Sequence, residues 1–504
     1  MRNSLVITFI FTLFLLNCDC KKINGRNDPV DYLALARKTS DYLDVYLQGF
    51  VDEDCTFGGF VNSSKKKDWS FCWPNFEMVS ADAAMIRLLV KENYPITDQE
   101  VKYHLARLER VVDWEREYLW DVKVNNGGYY AAILSYNTEK RDESVKYIDD
   151  LAYAGIAMMQ CYYTMLVTGQ EDHPLTAKCL QYAAECGDWL LQVEDESIWA
   201  SNVGGGYYWN TGEVSRKEGL SLISNVQAVI LLRELALLGD DAIEGTLGVN
   251  TFRNHTALWE KHADLVLDII RHETRVSARP RIDGDLCQNH TPPKTAGKPE
   301  FFAYENSIVS VALLLSNFDE ESEALLTAIN DYFWLEEERV YTQSSLSGSI
   351  STVFTGWATE NLLTRYYLKR KRNLPYNPSL DDLNNHPTNL QITDQKTRSL
   401  DSFQFIANLL TNHETGAVYQ DVYSNGQNRR FEDGTHFTVD CAFALRFFAL
   451  AQLATKYDEG ALGNNAHGEV DLAQETFTDS TSAASSIQVF FYLLTTTLLL
   501  LYFF

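Results

Sequence analysis

No Cys-X-X-Cys or His-X-X-His spacing occurs in the 504 residues, which removes the common zinc arrangements, and no metal or other cofactor is expected. Positive charge is scarce. Lys and Arg number 43 against 69 Asp and Glu, for a formal net charge of −26. That balance excludes nucleic acid and an anionic membrane surface as electrostatic partners. Two short basic clusters, Lys65–Lys67 and Lys369–Arg372, read as solvated; the second follows a helical stretch, where cations suit the C-terminal dipole. No obligate protein partner is inferred.

What is present is an ordinary globular balance, 45% hydrophobic and 22% charged, with two unusual ends. Ser4–Leu16 is an apolar run behind Arg2, followed by small or polar residues, so residues 1–20 read as a secretory signal peptide. Residues 487–504 are apolar with no basic residue beyond them, and small residues at 478–486 stand ahead. That order reads as a glycosylphosphatidylinositol (GPI) signal on a polar linker, residues 458–486, and the expected location is the extracellular face of the plasma membrane. A single-pass anchor is the alternative, but it lacks the flanking Lys or Arg of a spanning segment. Three Asn-X-Ser/Thr glycosylation sequons, at Asn62, Asn254 and Asn289, fit that route.

Nine cysteines occur. With Cys18 and Cys20 in the signal region, an odd number remains, so at least one is expected free in an oxidising compartment. Cys55 with Cys72 is the preferred bridge, because both sit in one loop. Cys161 lies on an apolar helix face and is expected to be buried and inert.

The body, residues 30–457, reads as almost entirely helical. Amphipathic stretches at Tyr32–Tyr46, Asp98–Trp120, Leu175–Leu191, His255–Arg271, Glu320–Leu335 and Leu400–Leu410 alternate with richer apolar ones. The latter are Ala81–Val90, Leu151–Leu166, Val226–Leu238, Ser307–Leu315, Leu362–Leu368 and Ala442–Ala454. Each apolar helix is expected to begin with a polar residue of one type: Asp82, Asp150, Asn225, Asn306, Asn361 and Asp440. A recurrence of roughly 70 residues, one amphipathic and one apolar helix per repeat, predicts an all-α (α/α)6 toroid with six helices inside and six outside. An open solenoid would need polar end caps, and neither end repeat looks polar.

If the inner helices run parallel, the loops before them share one end of the barrel. Those loops, Asp68–Phe76, Asn125–Tyr130, Gly204–Asn210, Asp283–Cys287, Phe301–Asn306 and Phe431–Phe437, set aromatic rings beside Asn and Asp. Rings for C–H faces and short polar groups for hydroxyls are what a sugar cleft needs. Asp149 and Asp150 open one apolar helix. An Asp there caps a helix and suits its dipole, but two carboxyls on one rigid element are also the minimum for splitting a glycosidic bond.

Tyr147-Ile-Asp-Asp-Leu-Ala-Tyr-Ala-Gly155, Gly204-Gly-Gly-Tyr-Tyr-Trp-Asn210, Ile223-Ser-Asn225 and Ala303-Tyr-Glu-Asn306 together resemble glycoside hydrolase family 76, the endo-α-1,6-mannanases and their GPI-anchored fungal relatives. The resemblance spans about Tyr32 to Tyr457. Two departures bear on substrate: Leu151-Ala152-Tyr153 follows the acids, and Glu305 and Ser307 flank Asn306. The resemblance implies a glycosidase acting on α-1,6-linked mannosides with a retaining mechanism. Asp149 would be the nucleophile and Asp150 the acid/base; Trp209, Tyr207, Asn225, Asp285, Tyr304 and Asn306 would bind a mannose-containing oligo- or polysaccharide.

Three other readings are weighed against it. A sugar epimerase on the same toroid needs inward histidines; His104, His173, His262 and His272 fall on outer helices or peripheral loops, and only His290 and His436 approach the cleft. A transglycosidase acting on GPI-anchor or cell-surface mannose glycans would use the same two acids. A non-catalytic carbohydrate-binding barrel would not need both.

Overall fold

The computed structural model describes residues 29–47, 59–65, 69–122, 127–134, 137–141, 146–195, 206–211, 220–248, 252, 254–276, 286–287, 290–291, 301–345, 348–373, 389–423 and 436–457. The expected signal, linker and tail segments lie outside them.

Helix α1 (Tyr32–Tyr42) leads into five helical hairpins. These are α2 (Cys72–Lys91) with α3 (Gln99–Tyr118), α4 (Ile148–Val167) with α5 (Pro174–Asp195), and α6 (Leu222–Leu238) with α8 (His255–Ile269) across the short α7 (Asp240–Leu247). After them come α9 (Ala303–Leu315) with α10 (Asp319–Phe333), α11 (Thr352–Asn373) with α12 (Asn389–Phe405), and a last helix, α13 (Thr438–Gln452). Helices α2, α4, α6, α9, α11 and α13 pack side by side in that order, and α13 closes on α2. The second helix of each hairpin packs outside the first, and α1 covers α13 as the sixth outer helix. The fold is the (α/α)6 toroid.

Composition separates the two layers. Every described residue of α2 up to Leu89 except Trp73 is buried, whereas α3 buries Val101, Leu108, Val111, Val112 and Trp114 and exposes its charged face. A helix apolar all round is stable only when surrounded, and one with a single apolar stripe suits an outer wall. Inner and outer walls are also tied by ion pairs, such as Asp82–Arg107 between α2 and α3 and Arg365–Glu323 between α11 and α10.

Short antiparallel pairings link the segments that precede the inner helices. Trp69–Phe71 pairs with Ala132–Leu134, Tyr147 with Asn210, and Leu220–Ser221 with His290–Thr291. Phe302 then pairs with Ser344, Ser349–Ser351 with Asp421–Tyr423, and Phe437 with Ser63. The links run once around the ring and close. All six inner helices therefore begin at one end, the mouth.

The marks of the repeat are corrected at two places. Asp82 and Asn361 do not start helices: α2 begins at Cys72 and α11 at Thr352, so both lie mid-helix. The recurring feature is the fourth residue of the inner helix, which grips the segment before it. Asn75 bonds both the N–H and the C=O of Phe60, Asn225 those of Tyr207, and Asn306 those of Cys287. In α11 Thr355 accepts from the Ser351 N–H, and in α13 Cys441 takes the Val418 N–H. Helix α4 departs, with Leu151 in that place.

Candidate active site

The segment entering α4 is held by other means. The Thr211 N–H donates to the Lys146 carbonyl and the Ile148 N–H to the Trp209 carbonyl, each at 3.0 Å, and the Lys146 N–H donates to Thr211 Oγ1. The buried Lys146 ammonium reaches Asp121 Oδ2 at 2.7 Å and the Gly127 carbonyl at 2.5 Å. Lys146 thus fixes the approach to the helix, and the two acids follow as its second and third residues. Neither is a cap. Tyr147 holds the cap position, with extended backbone and no side-chain cap bond.

Both acidic residues are only partly buried at the mouth. Trp209 Nε1 donates to Asp149 Oδ2 at 3.0 Å, and its indole meets the Tyr147 ring edge-on, centroids 5.1 Å apart. The second oxygen, Asp149 Oδ1, is enclosed and accepts no hydrogen bond. Burial lifts the Asp149 carboxyl to about 6, with the Trp209 N–H pulling the other way. Burial together with the neighbouring Asp149 charge pushes Asp150 well above the usual carboxylate range. The outcome is one carboxyl that ionises near neutrality beside one that holds its proton. Helix-dipole stabilisation of both acids, expected from position alone, is outweighed by desolvation.

At the same end of the barrel, the first turns of the inner helices supply rings. Tyr304 of α9 stacks on Trp357 of α11 (5.5 Å, 17°) and leans on Phe354 (4.8 Å). Trp73 of α2 lies 6.2 Å from Trp357, and Tyr153 of α4 meets Trp357 at 5.6 Å. Helices α4 and α11 stand on opposite sides of the ring, so this last contact crosses the barrel axis. Beneath it, Arg446 of α13 binds Glu360 at 2.5 Å, Glu77 at 3.1 Å and the Tyr153 hydroxyl at 2.8 Å. This plug makes the mouth a blind cleft with an aromatic rim, to which Trp69, Phe71 and Trp209 add exposed rings.

Of the residues expected around the acids, Trp209 and Tyr304 are at the cleft. Tyr207, Asn225 and Asn306 are corrected. All three are buried. The Tyr207 hydroxyl donates inward to the Leu190 carbonyl, and the two amides are spent on the backbone of residues 207 and 287. The recurrence of the two amides reflects the repeat: each holds the mouth loop in place. Gly206, with φ +83°, gives Asn225 room, since a Cβ there would stand 3.0 Å from its Oδ1. Asp285 and Asn289 lie outside the described residues. Asn62 is half-buried in the segment that closes the belt, and Asn254 is exposed ahead of α8. Of the preferred bridge, Cys72 is buried beside Glu115, and Cys55 lies outside the described residues.

Trp357 and Phe354 went unread because α11 was placed to start beyond them. The Thr355-Gly-Trp357 run carried the signal: a Cβ on Gly356 would lie 2.0 Å from the Phe447 ring, so two inner helices touch there.

No protein-family model matches the chain, and comparison with curated proteins returns no match. Solved structures do share its fold. An α-mannanase of glycoside hydrolase family 76 from Bacteroides thetaiotaomicron aligns with TM-score 0.56 at 12% identity, covering 85% of this chain and 97% of that one. A family 76 glycoside hydrolase from a bovine strain of the same species aligns with TM-score 0.58 at 13% identity, covering 85% and 78%. A sugar epimerase from a ruminal bacterium aligns with TM-score 0.55 at 10% identity, covering 85% and 100%. The likeness at these identities is one of fold, and it embraces both a hydrolase and an epimerase architecture.

Proposed function

We propose that the chain is a glycoside hydrolase that cleaves α-1,6-linked mannosides with retention of configuration, Asp149 acting as nucleophile and Asp150 as acid/base. One observation carries the reading: two adjacent carboxyls of unlike acidity stand at a blind, aromatic-rimmed mouth. A nucleophile must be ionised and a general acid protonated at the same pH, and this pair meets that condition near neutrality.

In the first step the Asp149 carboxylate, oriented by the Trp209 N–H on Oδ2, attacks the anomeric carbon. The glycosidic C–O bond breaks, and the Asp150 proton passes to the departing oxygen. In the second step Asp150, now ionised, takes a proton from water, which displaces Asp149 from the glycosyl ester. The stacked Tyr304 and Trp357 and the exposed Trp209 offer faces to successive sugar rings.

Among the described side chains, three histidines speak against the epimerase reading: His104 is bound to Asp82 between walls, His255 to Asp188 on the outside, and His436 to the Val418 carbonyl. Secretion and a lipid anchor near Ser480–Ser486 belong to the proposal as well: phosphatidylinositol-specific phospholipase C should release the protein from cells, and retention with a cytoplasmic Phe504 epitope would reject the anchor.

The enzymatic test is incubation with α-1,6-mannotetraose and its α-1,2 and α-1,3 counterparts, followed by product sizing. Shorter products from the α-1,6 substrate alone are expected. Longer products would replace hydrolysis by transfer at the same site. No product from any of them would reject the reading.

A further inference from the structure

Helices α4 and α5 carry a second reactive pair, remote from the acids and independent of the carbohydrate reading. Cys161 lies in the C-terminal half of the inner helix, far below the mouth, and Cys179 in the second turn of the outer helix packed on it. Both are wholly buried and carry free thiols in this structure, the Cys179 thiol pointing at the Cys161 sulfur 2.7 Å away. Non-bonded heavy atoms rest at about 3.5–4.0 Å, so two thiols merely packed together would sit farther apart than this. Three other described cysteines have different neighbours: Cys72 lies beside Glu115, Cys441 takes the Val418 N–H, and Cys186 packs under Gly155.

We propose that Cys161 and Cys179 form a disulfide bond that staples the inner wall to the outer wall of the α4–α5 hairpin. The oxidant is a protein disulfide of the oxidoreductase class. One cysteine thiolate attacks that disulfide and displaces one of its sulfurs as a thiol, giving a mixed disulfide. The second cysteine then attacks the mixed disulfide at the first cysteine's sulfur. The oxidoreductase leaves as a dithiol, carrying away the two electrons and two protons lost by this chain.

Timing follows from burial. Desolvation pushes the Cys179 thiol well above its ordinary value, and the thiolate is the reacting form. Exchange therefore takes place before α5 docks on α4, and once the hairpin has closed neither formation nor reduction is fast. The bond records the compartment in which the chain folded: oxidised after folding in a secretory lumen, reduced after folding in a cytosol.

The test uses the full chain, directed into the secretory pathway of a eukaryotic host by a host leader. The purified protein is unfolded at acid pH with excess N-ethylmaleimide, digested and mapped by mass spectrometry with and without reduction. The expected result is an unlabelled cross-linked pair of peptides holding Cys161 and Cys179, with Cys72, Cys186, Cys287 and Cys441 labelled. Recovery of Cys161 and Cys179 both labelled before reduction overturns the proposal, as does a cross-link from either one to another cysteine. In melting experiments a reducing agent added during refolding should lower the Tm of the native chain to that of the Cys161→Ala, Cys179→Ala double variant. The same agent should leave the double variant unmoved. An unchanged native Tm after verified reduction would overturn the stapling role, and if the double variant does not fold the peptide map decides alone.

Discussion

Asp82 and the Asp149–Asp150 pair stand on adjacent inner helices, each a carboxylate in an apolar setting, yet the two places have opposite electrostatics. Asp82 lies mid-barrel between walls. Arg107 reaches it through Nε at 2.9 Å and a terminal nitrogen at 2.6 Å, and His104 Nδ1 lies 2.8 Å away. Burial pushes its pKa up, but the charge of Arg107 and the hydrogen bonds of His104 and Arg107 carry it below the usual range. The pair at the mouth has a Trp N–H in place of a cation, and both of its pKa values rise. A buried acid matched by a guanidinium is committed to holding helices together. One left unmatched beside an open cleft is costly to the fold and available for chemistry.

The largest effects should separate the two places by kind. Asp149→Asn should lower turnover on mannosides about a thousandfold or more, because an amide does not attack an anomeric carbon. Asp150→Asn should lower it by roughly a hundred- to ten-thousandfold, with partial recovery on substrates whose leaving group needs no proton. Steady-state rates on natural and aryl mannosides measure both. Full turnover in each variant would reduce the acids to structural residues, and rescue in Asp149→Asn instead would exchange their roles.

Stability should move the other way. The folded pKa values of Asp149 and Asp150 are raised above the unfolded value of about 3.9. Stability tied to them is complete below that value and is lost as pH rises through the folded ones. The double Asn variant should therefore melt higher than the native chain at pH 8 and show no such gain at pH 4. Asp82 is the converse. Its folded pKa is lowered, so its contribution is present above the unfolded value and is lost as pH falls through the folded one. Asp82→Asn should cost about 3–5 kcal/mol at neutral pH by leaving Arg107 buried without its partner, with kcat unchanged in the fraction that stays folded. Urea titration at the two pH values, with active-site counting, would expose any exchange of these behaviours.

How far the sequence disclosed this contrast depends on the residue. The toroid was legible because its layers differ in composition, and Asp149 and Asp150 because an acid doublet stands out against an apolar helix. Asp82 was misplaced as a helix start. Its partners, Arg107 and His104, sit on the next helix, and no spacing within α2 reveals them. Asn225 and Asn306 stand out in the sequence as repeating but not as backbone holders, since the same short amide serves a sugar hydroxyl or a backbone carbonyl. Only the packed structure shows which. Trp357 was missed through an error of one helical segment, and with it the ring that spans the barrel axis.

The clamp reading predicts an effect of intermediate size. Asn306→Ala strips partners from the N–H and C=O of Cys287 and from the Phe302 carbonyl, in a place without solvent. Unsatisfied buried backbone groups of this kind cost about 1–3 kcal/mol. Substrate binding should suffer less than stability, because the side chain faces the loop and not the cleft. A KM raised many-fold with Tm unmoved would return Asn306 to the list of ligand groups.

The smallest effect is the most discriminating, because it reads the electrostatics of the mouth directly. Trp209→Phe keeps an aromatic face at the rim and removes only the Nε1 donor that meets Asp149 Oδ2. Trp209 is 37% exposed, so solvent weakens the bond and the change should be modest. Loss of the donor disfavours the ionised carboxylate, so Asp149 should ionise at a pH above its present value of about 6. Turnover needs Asp149 charged, so the acid limb of the kcat/KM profile should move to higher pH by about half a unit to one unit, while the alkaline limb, set by Asp150, stays where it is. The rate at the optimum should fall only several-fold. An acid limb that does not move would mean that the group titrating there is not bonded to Trp209. A shift confined to the alkaline limb would make the Trp209-bound carboxyl the proton donor and transfer the nucleophile's role to Asp150.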